Sequence, residues 1–353
     1  MVRTGRRHAS LWFGLVLSTV GRVLRRAGRR TNLGLLLLLV GSFATGWVAF
    51  ATAGPVSARV AAVAHGVLGL GLVVVTPWKV VVARRAPRLT PASLALVAVV
   101  LTCLVAGVVE VLVGPDAGGG LTPIQVHVGA AFVIVALLVE HVWRHWRPRL
   151  ARVTDLGRRR LLRTAAFGAA AASTYVVVDV VGRTRSTFAA RTSTGSHPIP
   201  AAEIPATTWL LDQVPVLDRA THRVLVDGTP LSVSDLDARG VPVPARLDCT
   251  TGWYADATWT GVPLSQLLDA AAVAIARSVV VESVTGYRRR FDVESLPRLF
   301  LATRVEGALL GPGTGAPVRL VAPGHRGFWW VKWVASVELS GVPADLQPPF
   351  PLQ

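Results

Sequence analysis

The sequence predicts a chain in two parts: an α-helical membrane bundle of about five spans, then an α+β domain. Three observations carry this expectation. The first half holds five apolar runs of 19 to 25 residues, and arginine clusters alternate with them. After about residue 205 the pattern changes to short β-branched runs bounded by Gly, Pro and Asp. A hydrophobic content of 52% and a mean hydropathy of +0.50 are too apolar for an ordinary soluble protein.

Residues 1–31 form a basic cytoplasmic segment with eight arginines and no acid. Within it, residues 9–20 are apolar but too short to span a bilayer, so they read as an interfacial helix. The five spans follow at Leu33–Ala53, Arg59–Ala83, Ser93–Val113, Ile124–Trp146 and Thr164–Gly182. At about 1.5 Å per residue each is long enough for a hydrocarbon core of about 30 Å. The arginine-rich stretches at 84–92 and 144–163 belong inside; the Gly- and Pro-rich turns at 54–58 and 114–123 belong outside. Five crossings then deliver everything after Gly182 to the outer side of a bacterial plasma membrane. The net charge of +17 is accounted for by this topology. No basic stripe interleaved with aromatics and no nucleic-acid motif is present, so nucleic acid is excluded as a partner.

The parts divide as 32–150, a four-helix membrane domain; 151–183, an arginine-led fifth span; 184–204, a polar tether; and 205–353, one α+β domain. Strands are expected at His222–Val226, Ser278–Val284, Val318–Val321 and Ser336–Leu339. Helical pattern is best at Leu264–Val273, and the Pro-rich end, Pro343–Gln353, reads as a surface tail. No internal repeat is evident.

Chemistry centres on Cys249, one of two cysteines. The other, Cys103, lies in a membrane run and cannot pair with it. A lone thiol in an exported domain fits two roles: a buried small hydrophobe, or a soft metal ligand. Four histidines, His65, His127, His141 and His145, lie in or at the ends of spans, where ionisable groups are expensive. His65 and His127 lie at similar depths in the second and fourth spans and suit the axial ligands of one haem b; a polar contact between helices is the alternative. His141 and His145, beside arginines at the inner end, read as snorkelling groups. His8, His197 and His222 sit in polar surroundings.

The motifs around Cys249 favour the metal-ligand role. Cys-x3-Trp-x5-Trp-x-Gly-x-Pro-Leu-x2-Leu-Leu from Cys249 resembles the cofactor loop of the sulfite-oxidase-like molybdenum enzymes. The closest likeness is to the catalytic subunits of bacterial periplasmic methionine-sulfoxide reductases. Val281-Glu282-Ser283, Gly315-Ala316-Pro317-Val318-Arg319-Leu320 and Pro323-Gly324-x2-Gly327-Phe328-x2-Val331-Lys332 resemble further motifs of the family, in order. The resemblance covers roughly Pro205 to Val342. It implies a sulfite-oxidase-like α+β domain that binds Mo-molybdopterin, with Cys249 as molybdenum ligand. It also implies that Arg319 and Lys332 hold the pterin phosphate, with Ser283, Thr314, His325, Trp330 and Val331 as lesser contacts. Lys332 is one of only two lysines against 35 arginines.

Two positions depart from the family pattern. Thr314 stands where relatives place His or Asn, and the loop after Cys249 reads Thr250-Thr251-Gly252-Trp253-Tyr254, without the arginine that holds sulfite. Sulfite is therefore not the expected substrate. Arg288–Arg290 could gather an anion, or form a solvated face. Gly157-Arg158-Arg159-Arg160-Leu161-Leu162-Arg163 resembles a twin-arginine export signal, which a domain that acquires its cofactor before export would need; topology charge is the alternative. The expected function is a membrane-anchored molybdenum oxidoreductase. It would act on a small molecule, pass electrons through a membrane haem, and draw on quinones or another carrier. The rival is a non-enzymatic haem-binding or structural membrane protein whose exported domain binds a partner.

Overall fold

The structure, a computed structural model, describes residues 29–84, 90–114, 121–145, 158–184, 191–208 and 213–348. The expected interfacial helix at residues 9–20 lies outside them. The chain divides into two compact units, a helical one and one built mostly from residues 189–353.

The helical unit has five helices: α1 (Arg29–Ala51), α2 (Pro55–Arg84), α3 (Pro91–Leu112), α4 (Pro123–His145) and α5 (Arg158–Arg183). All five are long and apolar enough to cross a membrane. Three begin at a proline, earlier than the sequence suggests. Proline at the first helical position loses no hydrogen bond and is preset in φ, so Gly54-Pro55 starts α2 instead of only turning the chain. Large apolar side chains face outward on every helix: Leu37, Val60, Val105, Val139 and Val177 are each at least 60% exposed. Glycines let the helices approach closely. Gly41 packs on Leu68, and Gly66 packs against the ring of Tyr175.

The second unit holds two sheets around one apolar core. Its strands are β1 (His197–Pro198), β2 (Arg223–Val226), β3 (Thr229–Ser232), β4 (Val241–Asp248), β5 (Trp253–Pro263), β6 (Ser278–Ser283), β7 (Arg288–Asp292), β8 (Phe300–Val305), β9 (Ala308–Leu309), β10 (Arg319–Val321) and β11 (Val334–Ser340). Helices α6 (Val233–Arg239) and α7 (Ala270–Ile275) complete it. One sheet runs β1-β5-β8-β10, with β4 on β5 and β9 on β8; the other runs β3-β2-β11-β6-β7.

Several elements differ from expectation. The helical pattern at Leu264–Val273 is divided: Leu264–Gln266 is a 3₁₀ turn, and α7 starts after Asp269, whose carboxylate caps Ala272 N. The polar tether joins the second unit early, since His197 is buried and β1 pairs with β5. The Pro-rich end is strapped down as far as it is described. Gln347 Nε2 donates to Arg290 O at 2.6 Å, and Pro348 O accepts from Arg289 at 2.9 Å. The arginine run Arg288–Arg290 is not a uniform solvated face. It lies on β7, where alternation turns Arg289 inward, 2% exposed, between the rings of Tyr287, Phe328 and Trp329.

Candidate functional site

Cys249 sits at the tip of the longest hairpin. β4 and β5 pair over eight residues, and the chain reverses through Cys249-Thr250-Thr251-Gly252. Cys249 N donates to Trp253 O at 2.8 Å, and Gly252 takes φ +94°, a left-handed turn position that favours glycine. The Cys249 sulfur is buried, 3.1 Å from Thr251 Oγ1 and 3.9 Å from Thr207 Oγ1.

Arg319 opens β10 and Lys332 lies just before β11, so the loop between them crosses from one sheet to the other. The loop's ends stay together: Leu320 N bonds Val331 O at 2.7 Å and Val334 N bonds Val318 O at 2.9 Å. Gly315 fills the space between the two cations. It has φ +105°, and a Cβ there would lie 3.0 Å from Arg319 Cβ and 3.1 Å from Lys332 Cβ. Gly327 performs the same service for the sulfur, since a Cβ would meet Cys249 Cα at 3.1 Å. Three distant segments thereby converge on one place.

The charges there are uncompensated. Arg319 is 1% exposed; its Nη1 donates to Thr314 O at 2.9 Å, and its Nε has no hydrogen-bond partner. Its plane lies over Trp259 at 4.9 Å and Trp330 at 5.5 Å. Lys332 Nζ donates only to carbonyls, Thr207 O and Gly313 O, both at 2.8 Å. Neither cation has a carboxylate partner among the described residues. Burial pushes Arg319 down to about 10, and burial with the neighbouring Arg319 charge pushes Lys332 down to about 7. In both cases the Cys249 sulfur, as thiolate, acts in the opposite direction. A buried cation without an anion is costly. The two are therefore set for a negatively charged group beside the sulfur.

The remaining expected residues have partners of their own. Ser283 is buried, and its Oγ accepts from Thr285 N and Thr285 Oγ1. Thr314 contributes its carbonyl to Arg319, while its hydroxyl turns back to Gly311 O. Trp330 Nε1 donates to His325 O, and the Val331 amide bonds Trp329 O. His325 packs in an aromatic cluster with Phe291 and Trp329, and burial lowers its pKa.

Sequence reasoning missed the groups that hold the sulfur's loop in place. Arg326, 5% exposed, donates to Asp248 Oδ1 at 2.6 Å and to Cys249 O at 3.3 Å. Ser196 Oγ and Thr194 Oγ1 donate to the same carboxylate at 2.6 and 2.7 Å. The only local signal was an acid directly before the cysteine.

These features lie in a domain that can be placed. Residues 211–346 match the family described as oxidoreductase molybdopterin binding domain. This part of the chain is a molybdopterin-binding oxidoreductase domain. The NADPH nitrate reductase of Phytophthora infestans is 37% identical over 95 residues, 24% of this chain and 10% of that protein. The chain thus spans about a tenth of that relative's length. The sulfane dehydrogenase SoxCD from Paracoccus pantotrophus aligns at 25% identity and a TM-score of 0.33, over 36% of this chain and 40% of that one. The molybdopterin-binding domain contains Cys249, Ser283, Thr314, Arg319, His325, Trp330, Val331 and Lys332. The cofactor's anionic phosphate suits the two orphaned cations, and its metal suits the thiol.

In the helical unit, His65 and His127 meet edge to face, ring centroids 5.6 Å apart, with Nε2 facing Nε2 at 3.4 Å. His65 Nδ1 lies 2.8 Å from Ser42 O, and His127 Nδ1 lies 2.7 Å from Cys103 O. His141 is not with them: its Nδ1 is 3.5 Å from Ser93 Oγ. The side chain of His145 lies outside the described residues.

Proposed function

We propose that the chain is a membrane-anchored molybdenum oxidoreductase, its catalytic domain on the outer face and its five helices in the bilayer, that reduces sulfoxide-like substrates. The observation that carries this reading is the pair of buried, anion-free cations, Arg319 and Lys332, beside the single buried thiol of the domain.

In this reading Cys249 ligates molybdenum as its thiolate. Arg319 binds the pterin phosphate through its planar fork, and Lys332 binds it as a point charge. When bound, the molybdenum–pterin group supplies two-electron oxo-transfer chemistry. The chain's own residues position it. Arg326 and Asp248 clamp the backbone on both sides of the sulfur's peptide, and the tryptophan faces of Trp259 and Trp330 exclude water from Arg319. The loop after Cys249 offers Thr250 and Thr251 in place of an anion-binding arginine, which favours a neutral substrate oxygen over sulfite.

Electrons would pass through one low-spin haem b in the helical unit, held by His65 and His127, and be supplied by quinones or another carrier. Two neutral imidazoles whose Nδ1 atoms face carbonyls have only Nε2 left to offer a metal. The test is to reduce the purified protein and add sulfoxides, N-oxides and related acceptors, following haem reoxidation. A sulfoxide that reoxidises the wild type but not the Cys249→Ser protein is expected. Reoxidation by no acceptor, in protein carrying molybdenum and haem, would overturn the reductase reading.

A further inference from the structure

The surroundings of His65 are built much as those of His127, although the Ser42 carbonyl also takes Thr45 Oγ1 at 3.1 Å. His65 on α2 meets the carbonyl of Ser42 on α1, and His127 on α4 meets the carbonyl of Cys103 on α3. Four residues beyond each carbonyl stands a glycine, Gly46 or Gly107, packed against the ring. A Cβ on Gly46 would lie 2.9 Å from His65 Cε1 and 3.0 Å from its Nδ1. One on Gly107 would lie 2.9 Å from His127 Nδ1 and 3.0 Å from its Cε1. Matching positions are separated by 61 residues (Ser42 to Cys103, Gly46 to Gly107) and 62 (His65 to His127).

Helix geometry explains the glycines. A helical side chain leans toward the N-terminus over the preceding turn, so the residue at i+4 covers the carbonyl of residue i. Glycine at i+4 leaves that carbonyl open to a second donor and leaves the imidazole room to reach it. A carbonyl only accepts, so each Nδ1 must carry the hydrogen, which makes each neutral Nε2 an acceptor. Two such acceptors cannot hydrogen-bond each other, yet they face one another at 3.4 Å. Something electrophilic belongs between them.

We infer that α1–α2 and α3–α4 are two copies of one ligand-bearing hairpin, in which Gly46 and Gly107 are positioning residues that bare the carbonyls of Ser42 and Cys103, fix the tautomers of His65 and His127, and aim both Nε2 atoms at a single iron. The inference rests on the haem reading above. The side chains of Ser42 and Cys103 have no part in it, although Cys103 Sγ lies 3.4 Å from His127 Nδ1. Only the backbone of those two residues is used, which is why serine and cysteine can occupy matching places.

The experiment uses the full chain purified in detergent with its native haem, measuring haem content by pyridine haemochrome, the low-spin spectrum and the midpoint potential. Gly46→Ala and Gly107→Ala should each weaken haem retention about 10–100-fold. Whatever haem remains should show a raised midpoint potential, because an imidazole without its carbonyl bond donates less to ferric iron. Gly69→Ala, on α2 with open space at its Cβ, should match the wild type. Ser42→Ala and Cys103→Ala keep their carbonyls and should also match it. Wild-type spectra and potentials in both glycine variants would overturn the inference while leaving the haem reading intact. If a glycine variant fails to accumulate, Cys103→Ala still decides: a changed potential assigns the bond to the thiol and overturns the backbone role. Absence of haem from the wild type, or a low-spin spectrum that survives His65→Ala or His127→Ala, would instead defeat the underlying reading.

Discussion

Replacing Arg326 by methionine should free the tip of the cysteine hairpin. Arg326 and Asp248 form an ion pair at 2.6 Å, with side chains 5% and 14% exposed, and Arg326 also holds the carbonyl of Cys249. Removing one partner of a buried pair strands the other charge, at a cost of about 3–5 kcal/mol. The hydroxyls of Ser196 and Thr194 remain on the carboxylate, so the lower end of that range is expected. The assay is native-state labelling of Cys249 by a maleimide in cofactor-free full-length protein, with the modified site mapped by mass. Since each ~1.4 kcal/mol is tenfold in an opening equilibrium, labelling should accelerate about 100-fold or more. Asp248→Asn combined with Arg326→Met should lose less than the single arginine change, because no charge is left buried alone. Acceleration under about threefold would refute the clamp.

Two more predictions concern the same site, and a third concerns export. Gly315→Ala forces a side chain onto φ +105° and against both cations, so molybdenum content should fall by half or more, read by metal analysis. Lys332 sits near 7 in the cofactor-free fold but about 10.4 when unfolded. The unfolded chain therefore binds the extra proton above pH 7, and stability rises with pH, by roughly 1–2 kcal/mol between pH 7 and about 8.5. Denaturation of the cofactor-free protein at the two pH values should show this rise, and Lys332→Met should remove it. Finally, lysine at both Arg158 and Arg159 keeps the charge but removes the arginine pair. Protease accessibility should then find the catalytic domain retained inside, and unchanged exposure would reduce these arginines to topology charge.

What was legible in the sequence was local. The five helices announce themselves by their length and apolar composition. Cys249, Arg319 and Lys332 stand in short ordered motifs, so a joint role could be proposed from the sequence before their proximity was known. The Arg326 clamp could not, since its partners Asp248 and Ser196 lie 78 and 130 residues away and Ser196 reads as tether. Arg289 was hidden by its neighbours in a three-arginine run, although strand alternation alone separates it from Arg288 and Arg290. The duplicated hairpin escaped for another reason. Apolar residues on the outward faces of these helices are interchangeable, and the acceptor is backbone, so only a glycine and a histidine in each copy carry the repeat.

Holding of a molybdenum cofactor by two buried cations and one thiol is the role proposed for this site. It is tested most directly by metal analysis of the full-length protein from a host that makes the cofactor, beside an Arg319→Met/Lys332→Met protein. Near one molybdenum per chain is expected in the wild type, and less than about a tenth of that in the double variant, where the phosphate has lost both charges. A wild type without molybdenum, or a double variant that retains it in full, would contradict the account.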